Sequence, residues 1–571
     1  MGVTLPRAAA VMALLVLLAG CAAIPDSSDL QVVRSIRVGA GQAPPAGPQR
    51  GVDPFRLVRE FIEATGSPAN GHAAARAFLS RDAAQTWDDR AGLTVIEDAP
   101  GATPQADPAD DLRRIQVAGP QLGKLTEDGS FVPNAEPFTI GLDVVREQNE
   151  WRITNPPPGV FVEAGAFANN YRQVRVYFID PNRTVVVPDL RWVPAQPLST
   201  LPGRVLDLLL AGPSQRLAGA VTTALPKETR PRSNVLISRS GRAVINLTGL
   251  AGLAEPDRRL IAAQIVSTLD GLLPVPLQLL ADGEPLVAGQ TEWRTADIAA
   301  YTSATGPRPG APGQVVAGGR LRGLDGVPAP GPAGDGTLTV LSAARSSPGG
   351  EQLAAVVADP DQRPQLWVGR AGGDLGVAAL DAVSMTRPTW RPSGAEVWTV
   401  LDGRTVVGVV VVDRGPSSTY QVEAAELARL GPITELRLSP DGVRAVAVVG
   451  GRLVVAAVVS DSGMVSLRHP QVLRAGNLTP AAGVEWARPE LLVVVSTGLS
   501  PQVSSVSVDG LTRRELSNTN LTGPVTSITA ALGRQIVVAD ATGLWAYSDT
   551  QEEWEPLLGG IGPGAVPLYL G

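Results

Sequence analysis

Thiol and imidazole side chains, which can do nucleophilic, metal-binding or acid–base work near neutral pH, are scarce in this chain of 571 residues. There is one cysteine, Cys21, and there are two histidines, His72 and His469. A thiolate can attack or ligate, and an imidazole can move a proton or hold a metal. Both chemistries need partners, and these three residues are far apart in sequence. Cys21 stands at the end of an apolar run, "LLVLLAGCAAIP", that lies behind Arg7. The run is shorter than the ~20 apolar residues a membrane-spanning helix needs. A positive charge, a short apolar core and then small residues is the order of a secretory signal peptide, here residues 1–20.

Leu18, Ala19 and Gly20 precede the thiol, and together with Cys21 they resemble the lipobox of bacterial lipoproteins. The resemblance implies that the Cys21 sulfur receives diacylglycerol, that the signal is cut in front of it, and that the new amino group is acylated. One acyl chain holds a protein to a bilayer marginally; two or more hold it stably. With Cys21 consumed, no thiol remains for a disulfide, a zinc site or nucleophilic catalysis. His72 follows Asn70 and Gly71 and reads as a solvated loop residue rather than a base; His469 stands next to Pro470. No cofactor or catalytic residue is expected, although a calcium site made of scattered aspartates stays open.

The formal net charge of −7 argues against nucleic acid and against polybasic membrane contacts. Lysine occurs only at Lys124 and Lys227, and abundant Ala, Gly, Val and Pro complete the composition of a GC-rich bacterial protein. Asn182, Asn246, Asn477 and Asn520 each open an Asn-any-Ser/Thr triplet, as chance allows in a bacterial chain of this length. "GGIGPG" near the end lacks the strand and helix of a phosphate-binding loop and reads as a turn.

Residues 21–50 are polar and rich in Gly, Ala and Pro, and read as a tether reaching about 30 Å as a coil. Three folded regions follow. In the first, residues 51–165, "VDPFRLVREFIEA" starts a helix at Asp53 and Pro54, with Phe55, Val58, Phe61 and Ile62 on its core face. "HAAARAFLSRDAAQTW" turns Ala75, Phe78, Leu79 and Trp87 inward, and strand-like pieces come next, giving an α+β unit. The two helices, the tryptophan ending the second and the closing "WRITNPPPG" resemble NTF2-like cone domains.

The second region, residues 170–290, is α+β as well. "VRVYFID" and "TVVVPDLRWV" are strands about a turn at Asp180, Pro181 and Asn182, and "LPGRVLDLLLAGPS" is a helix stopped at Gly212 and Pro213. "VLISRSGRAVINL" is a hairpin about Ser240 and Gly241. "EPDRRLIAAQIVSTLDGL" is an amphipathic helix with Leu260, Ile261, Gln264, Ile265 and Leu269 near one face, before a last strand in "PLQLLADGEPL". The marks "VYFID", "LLAGP", "ALPKET", "GRAVINL", "QIVSTL" and "ADGEPL" resemble the GerMN domain of sporulation and germination proteins. Gly212, Gly241 and Gln264 read there as structural positions.

Residues 291–330 form a Pro/Gly-rich connector. In the third region, 331–571, turn-like marks carry prolines at 348, 392, 440 and 489, each before a Val-rich strand, with a fifth copy near Gly533. A period in the forties with several strands per unit is the pattern of an all-β propeller, here of five or six blades. Its channel offers only His469 and no recurrent acidic residue on the inner strands, which disfavours catalysis there.

Lipobox, helical α+β domain, GerMN domain and propeller, in that order, resemble the LpqB family of actinobacterial lipoproteins. That resemblance implies a protein held by lipid on the outer face of the cell membrane. It further implies a partner, the extracytoplasmic domain of an MtrB-type sensor histidine kinase of the MtrA/MtrB two-component system, with effects on wall homeostasis and division. A binder of a small ligand or a cell-wall fragment is the alternative.

Overall fold

Asp53 caps the first helix, α1 (Pro54–Thr65), by accepting from the N–H groups of Phe55 and Arg56 at 3.0 and 3.1 Å, a contact contributing about 1 kcal/mol. The computed structural model describes residues 47–105, 111–237, 242–302, 312–346, 349–412, 415–473, 478, 480–497, 502–562 and 564–570. The signal, the lipobox and most of the tether lie outside these. Helix α1 buries Leu57, Val58, Phe61 and Ile62, each contributing about 1.5–3 kcal/mol. Phe55, expected in the core, stays 41% exposed because it sits at the margin of that stripe.

The next helical stretch is broken. Ala73–Arg76 and Arg81–Thr86 are separate short helices, with Phe78 and Leu79 between them and Ser80 capping the second. Leu79 bridges to Ile153 of a sheet, and Ala75, Phe78, Leu79 and Trp87 are all buried. The Trp87 indole donates to the Pro157 carbonyl at 2.8 Å, tying the end of the helices to the "NPPPG" turn. Two four-stranded sheets complete this mixed α/β domain. One runs Phe131–Pro133, Gln121–Leu125, Leu93–Ile96, Val160–Glu163; the other runs Gly101–Pro104, Leu112–Gly119, Phe138–Glu147, Glu150–Ile153.

In the second domain, strands β1 (Tyr171–Ile179) and β2 (Val186–Pro194) form a hairpin that no third strand joins among the described residues. Helix α2 (Leu201–Ala211) ends at Gly212, whose φ of 98° suits glycine. Helix α3 (Glu255–Leu269) is the crossover between the parallel strands Ala243–Thr248 and Leu277–Ala281. The expectation of an amphipathic α3 is corrected: Leu260–Val266, Thr268 and Leu269 are all buried. It packs against β1, β2, α2 and the turn of helix Thr295–Ile298, so it is largely enclosed from Leu260 onward, while Glu255 and Pro256 of its first turn stay exposed. Strands Leu236–Ile237 and Ala243–Thr248 pair antiparallel, while Ser240 and Gly241 lie outside the described residues.

The connector is corrected too. Trp293 and Ile298 are 1% exposed and belong to the second-domain core. Gln314–Ala317 and Arg320–Gly323 are strands of the third region. That region is a propeller-like ring of six sheets. Five are four-stranded, over residues 339–377, 389–421, 433–472, 481–515 and 527–559. Their inner strands are β3 (Thr339–Arg345), β4 (Thr389–Trp390), β5 (Ile433–Leu438), β6 (Ala481–Arg488) and β7 (Ser527–Thr529). The sixth sheet joins the two ends of the region: β8 (Val566–Leu568) pairs antiparallel with Gln314–Ala317. Each inner strand touches the next, and β8 touches both β7 and β3, so the ring closes.

Closure at β8 carries a testable consequence. Deleting residues 564–571 removes the strand that stands between β3 and β7 and leaves Gln314–Ala317 paired on one side only. Leu568, 1% exposed, is lost with them. The melting temperature of the chain should fall by about 5–10 °C, as for a loss of a few kcal/mol in a large domain. A melt unchanged by the deletion would place closure elsewhere.

Candidate functional site: a shared hairpin and the ring channel

Hairpin β1–β2 alternates its side chains among three cores. Val174, Val176, Phe178, Val186 and Val187 enter the second-domain core. Tyr171 and Trp192, at the other end, enter the first-domain core, where Phe167 stacks on Tyr171 at 4.5 Å and meets Trp192 at 5.1 Å. Leu190 packs with Val446, Val455 and Leu473 of the ring. Strand β2 is buried from Val186 to Val193, as a strand covered on both faces must be.

Polar residues in so enclosed a strand must be paired. Asp189, 2% exposed, receives the Arg191 guanidinium at 2.7 Å, the Ser214 N–H at 2.8 Å and the Ser214 hydroxyl at 3.0 Å. Arg191, fully buried, also donates to the Asp128 carbonyl of the first domain at 2.6 Å. Burial works against the Asp128 charge, but the Thr126 hydroxyl, Arg191 and Ser130 together hold its carboxyl below the usual range. Toward the ring, Arg444 pairs with Asp441 at 3.1 Å and donates to the Pro188 carbonyl. The Trp192 indole donates to Asp509 at 2.9 Å, Arg175 pairs with Glu490 at 3.1 Å, and Arg216 donates to Gln471 at 3.1 Å. Three domains are thus keyed to one hairpin by polar contacts, most of them buried.

The ring's channel holds a second cluster. Thr389, Arg437, Glu485 and Thr529 recur at intervals of 48, 48 and 44 residues on successive inner strands and line one cavity. Neighbouring strands are stitched there: Trp390 Nε1 donates to the Ala344 carbonyl and Trp486 Nε1 to the Arg437 carbonyl, both at 3.1 Å. Arg437 pairs with Glu435 and donates to the carbonyls of Arg387 and Pro388 at 3.0 and 3.1 Å. One oxygen of Glu485 lies 3.5 Å from both Arg387 and Arg437. Burial, with the Arg437 charge beside it, lowers the Arg387 guanidinium to about 10, leaving it a cation at neutral pH. Burial pushes Glu485 up, against the pull of the two arginines. Two acidic residues, Glu435 and Glu485, stand on inner strands, but at different repeat positions, so neither recurs from blade to blade. Aligning the turn marks would have found Glu485, which shares the register of Arg437 and Thr389.

The residues singled out from sequence fall elsewhere. Cys21 and the lipobox Leu18, Ala19 and Gly20 lie outside the described residues. His72 is not solvated: it is 7% exposed, its Nδ1 lies 3.0 Å from the Thr65 carbonyl, and burial lowers its pKa. The left-handed φ of 52° at His72 turns the ring under Trp87. His469 is exposed on the outer strand Met464–Val472, away from the channel. Gln264 spans two elements, accepting from Ala224 N–H at 2.8 Å and donating to the Tyr177 carbonyl at 3.0 Å. Among the described residues, no group of three or more His, Cys, Asp or Glu side chains converges as a metal site would require.

Comparison with known proteins matches this division. A family described as Lipoprotein LpqB, N-terminal domain, matches residues 47–168; one described as Sporulation and spore germination matches 175–287; and Lipoprotein LpqB beta-propeller domain matches 313–569. Lipoprotein LpqB of Nocardia farcinica is 32% identical, covering 99% of this chain and 98% of its own. The chain belongs to the LpqB lipoprotein family. Lipoprotein LpqB of Mycobacterium tuberculosis is 31% identical over 97% of each chain. Among solved structures, one from a nidogen/laminin complex is 10% identical with a TM-score of 0.34, covering 45% of this chain and 98% of its own; no argument rests on it. No helix among the described residues is long and apolar enough to cross a membrane.

Proposed function

We propose that this LpqB-family chain is a lipid-anchored accessory protein on the outer face of the cell membrane. It binds the extracytoplasmic domain of an MtrB-type sensor histidine kinase and alters its output, without catalysing a reaction. The anchor is Cys21, a reading supported by relatives that are named lipoproteins. The first domain is read as NTF2-like. The observation that carries the proposal is the shared hairpin. Arg191, Asp189, Arg444 and Asp509 tie three domains into one body, so a contact with any of them engages a preorganised surface and spends little binding energy on ordering. A leash of about 30 Å confines that body near the kinase's own ectodomain and raises its effective concentration.

Crosslinking in cells followed by mass spectrometry tests this. Crosslinks from residues 47–302 or the ring to the kinase ectodomain are expected, and depletion of the protein should change expression of the kinase's regulon. No crosslink together with an unchanged regulon would refute the modulator reading and leave the ligand-binding one.

A further inference from the structure

The Arg387 guanidinium is anomalous. Its side chain is 9% exposed, yet among the described residues its Nε has no hydrogen-bond partner, and its one hydrogen bond there, to the Ile528 carbonyl, is 3.4 Å long. Its ion pair is 3.5 Å long and uses a Glu485 oxygen shared with Arg437. The Nε of Arg437 likewise lacks a hydrogen-bond partner, but the rest of that guanidinium has its own carboxylate in Glu435 and three backbone carbonyls. Buried guanidinium N–H groups without acceptors are costly, and such groups are ordinarily found paired.

Arg387 lines the channel cavity, where Pro392, Leu532, Tyr569 and Leu570 supply apolar walls. The cavity has a volume of about 60 Å³, room for about four water-sized groups, the bulk of an acetate ion. The hydroxyls of Thr389 and Thr529 accept from the N–H groups of Leu438 and Tyr569, so their own protons remain to be donated. The lining therefore offers free donors, the Arg387 guanidinium and two threonine hydroxyls, beside the Glu485 carboxylate. Arg387 and Arg437 are balanced in charge by Glu435 and Glu485, but the Glu485 oxygen nearest Arg387 is shared and 3.5 Å away, so what would satisfy these donors is a small group carrying acceptor oxygens.

We infer that the channel of the ring binds a carboxylate, with Arg387 as its anchor. The carboxylate comes from a free small acid or from the C-terminus of a short peptide. Leu532, 41% exposed, stands at the mouth. This site is independent of the kinase contact: either can fail without the other.

The test is calorimetric titration of the full chain in detergent with acetate, with N-acetyl-alanyl-alanine, and with the amide of that dipeptide. At least one acid should bind, and the amide at least tenfold more weakly or not at all. Arg387→Gln should weaken acid binding at least tenfold. Leu532→Trp, which narrows the mouth and leaves the ionic cluster intact, should do the same without lowering the melting temperature. Acetate alone would identify a free-acid site, and the dipeptide alone a peptide-terminus site. Absence of binding by both acids, equal binding of acid and amide, or unchanged affinity in both variants would overturn the proposal and leave the cavity to water.

Discussion

Arg191→Met should destabilise the chain by about 3–5 kcal/mol, the penalty for stripping one partner from a buried ion pair. The side chain is fully buried, and its removal leaves the Asp189 carboxylate, 2% exposed, with only the hydroxyl and N–H of Ser214. Methionine fills much of the volume, so a lost cavity contributes little. The same change cuts the link to the Asp128 carbonyl, so limited proteolysis should also begin to separate the first domain from the rest. Urea unfolding of the full chain measures the first effect. Pairing the change with Asp189→Asn should recover part of the loss, because the double variant buries no uncompensated charge. A single variant within about 1 kcal/mol of the parent would show that the pair is not what fixes the hairpin.

Cys21→Ser should abolish the anchor. A hydroxyl cannot take the place of the thiolate in forming a thioether to diacylglycerol, and each methylene withdrawn from the bilayer removes about 0.8 kcal/mol of membrane affinity. Fatty-acid labelling of the protein in cells should therefore fall to background, and the chain should either stay an uncleaved precursor or leave the lipid-anchored fraction. Removing one cysteine from a chain that has only one leaves no second thiol to substitute. Label retained at the parental level would exclude lipidation at Cys21. Crosslinking to the kinase ectodomain should drop in parallel, since confinement no longer raises the effective concentration.

Local chemistry was legible in the residues themselves. The Asp53–Pro54 start of α1, the Gly212 stop of α2 and the Val-rich strands after each turn mark depend on neighbours a few positions away, where capping, left-handed glycine and strand alternation act. The repeat spacing announced a ring, and the order of the domains announced the LpqB family. What the chain could not announce is where distant surfaces meet. Helix α3 is enclosed from Leu260 onward because of packing partners that periodicity within one helix does not encode. Trp192 and Asp509, or Arg444 and Pro188, are separated by hundreds of residues, and nothing local distinguishes these side chains from solvated ones. Their burial follows from three domains closing on one hairpin, and only that closure turns an ordinary Asp189-x-Arg191 stretch into a buried ion pair, or leaves Arg387 short of acceptors inside a channel. Charge is cheap in water and dear inside a protein, so the value of these residues was set by tertiary structure alone.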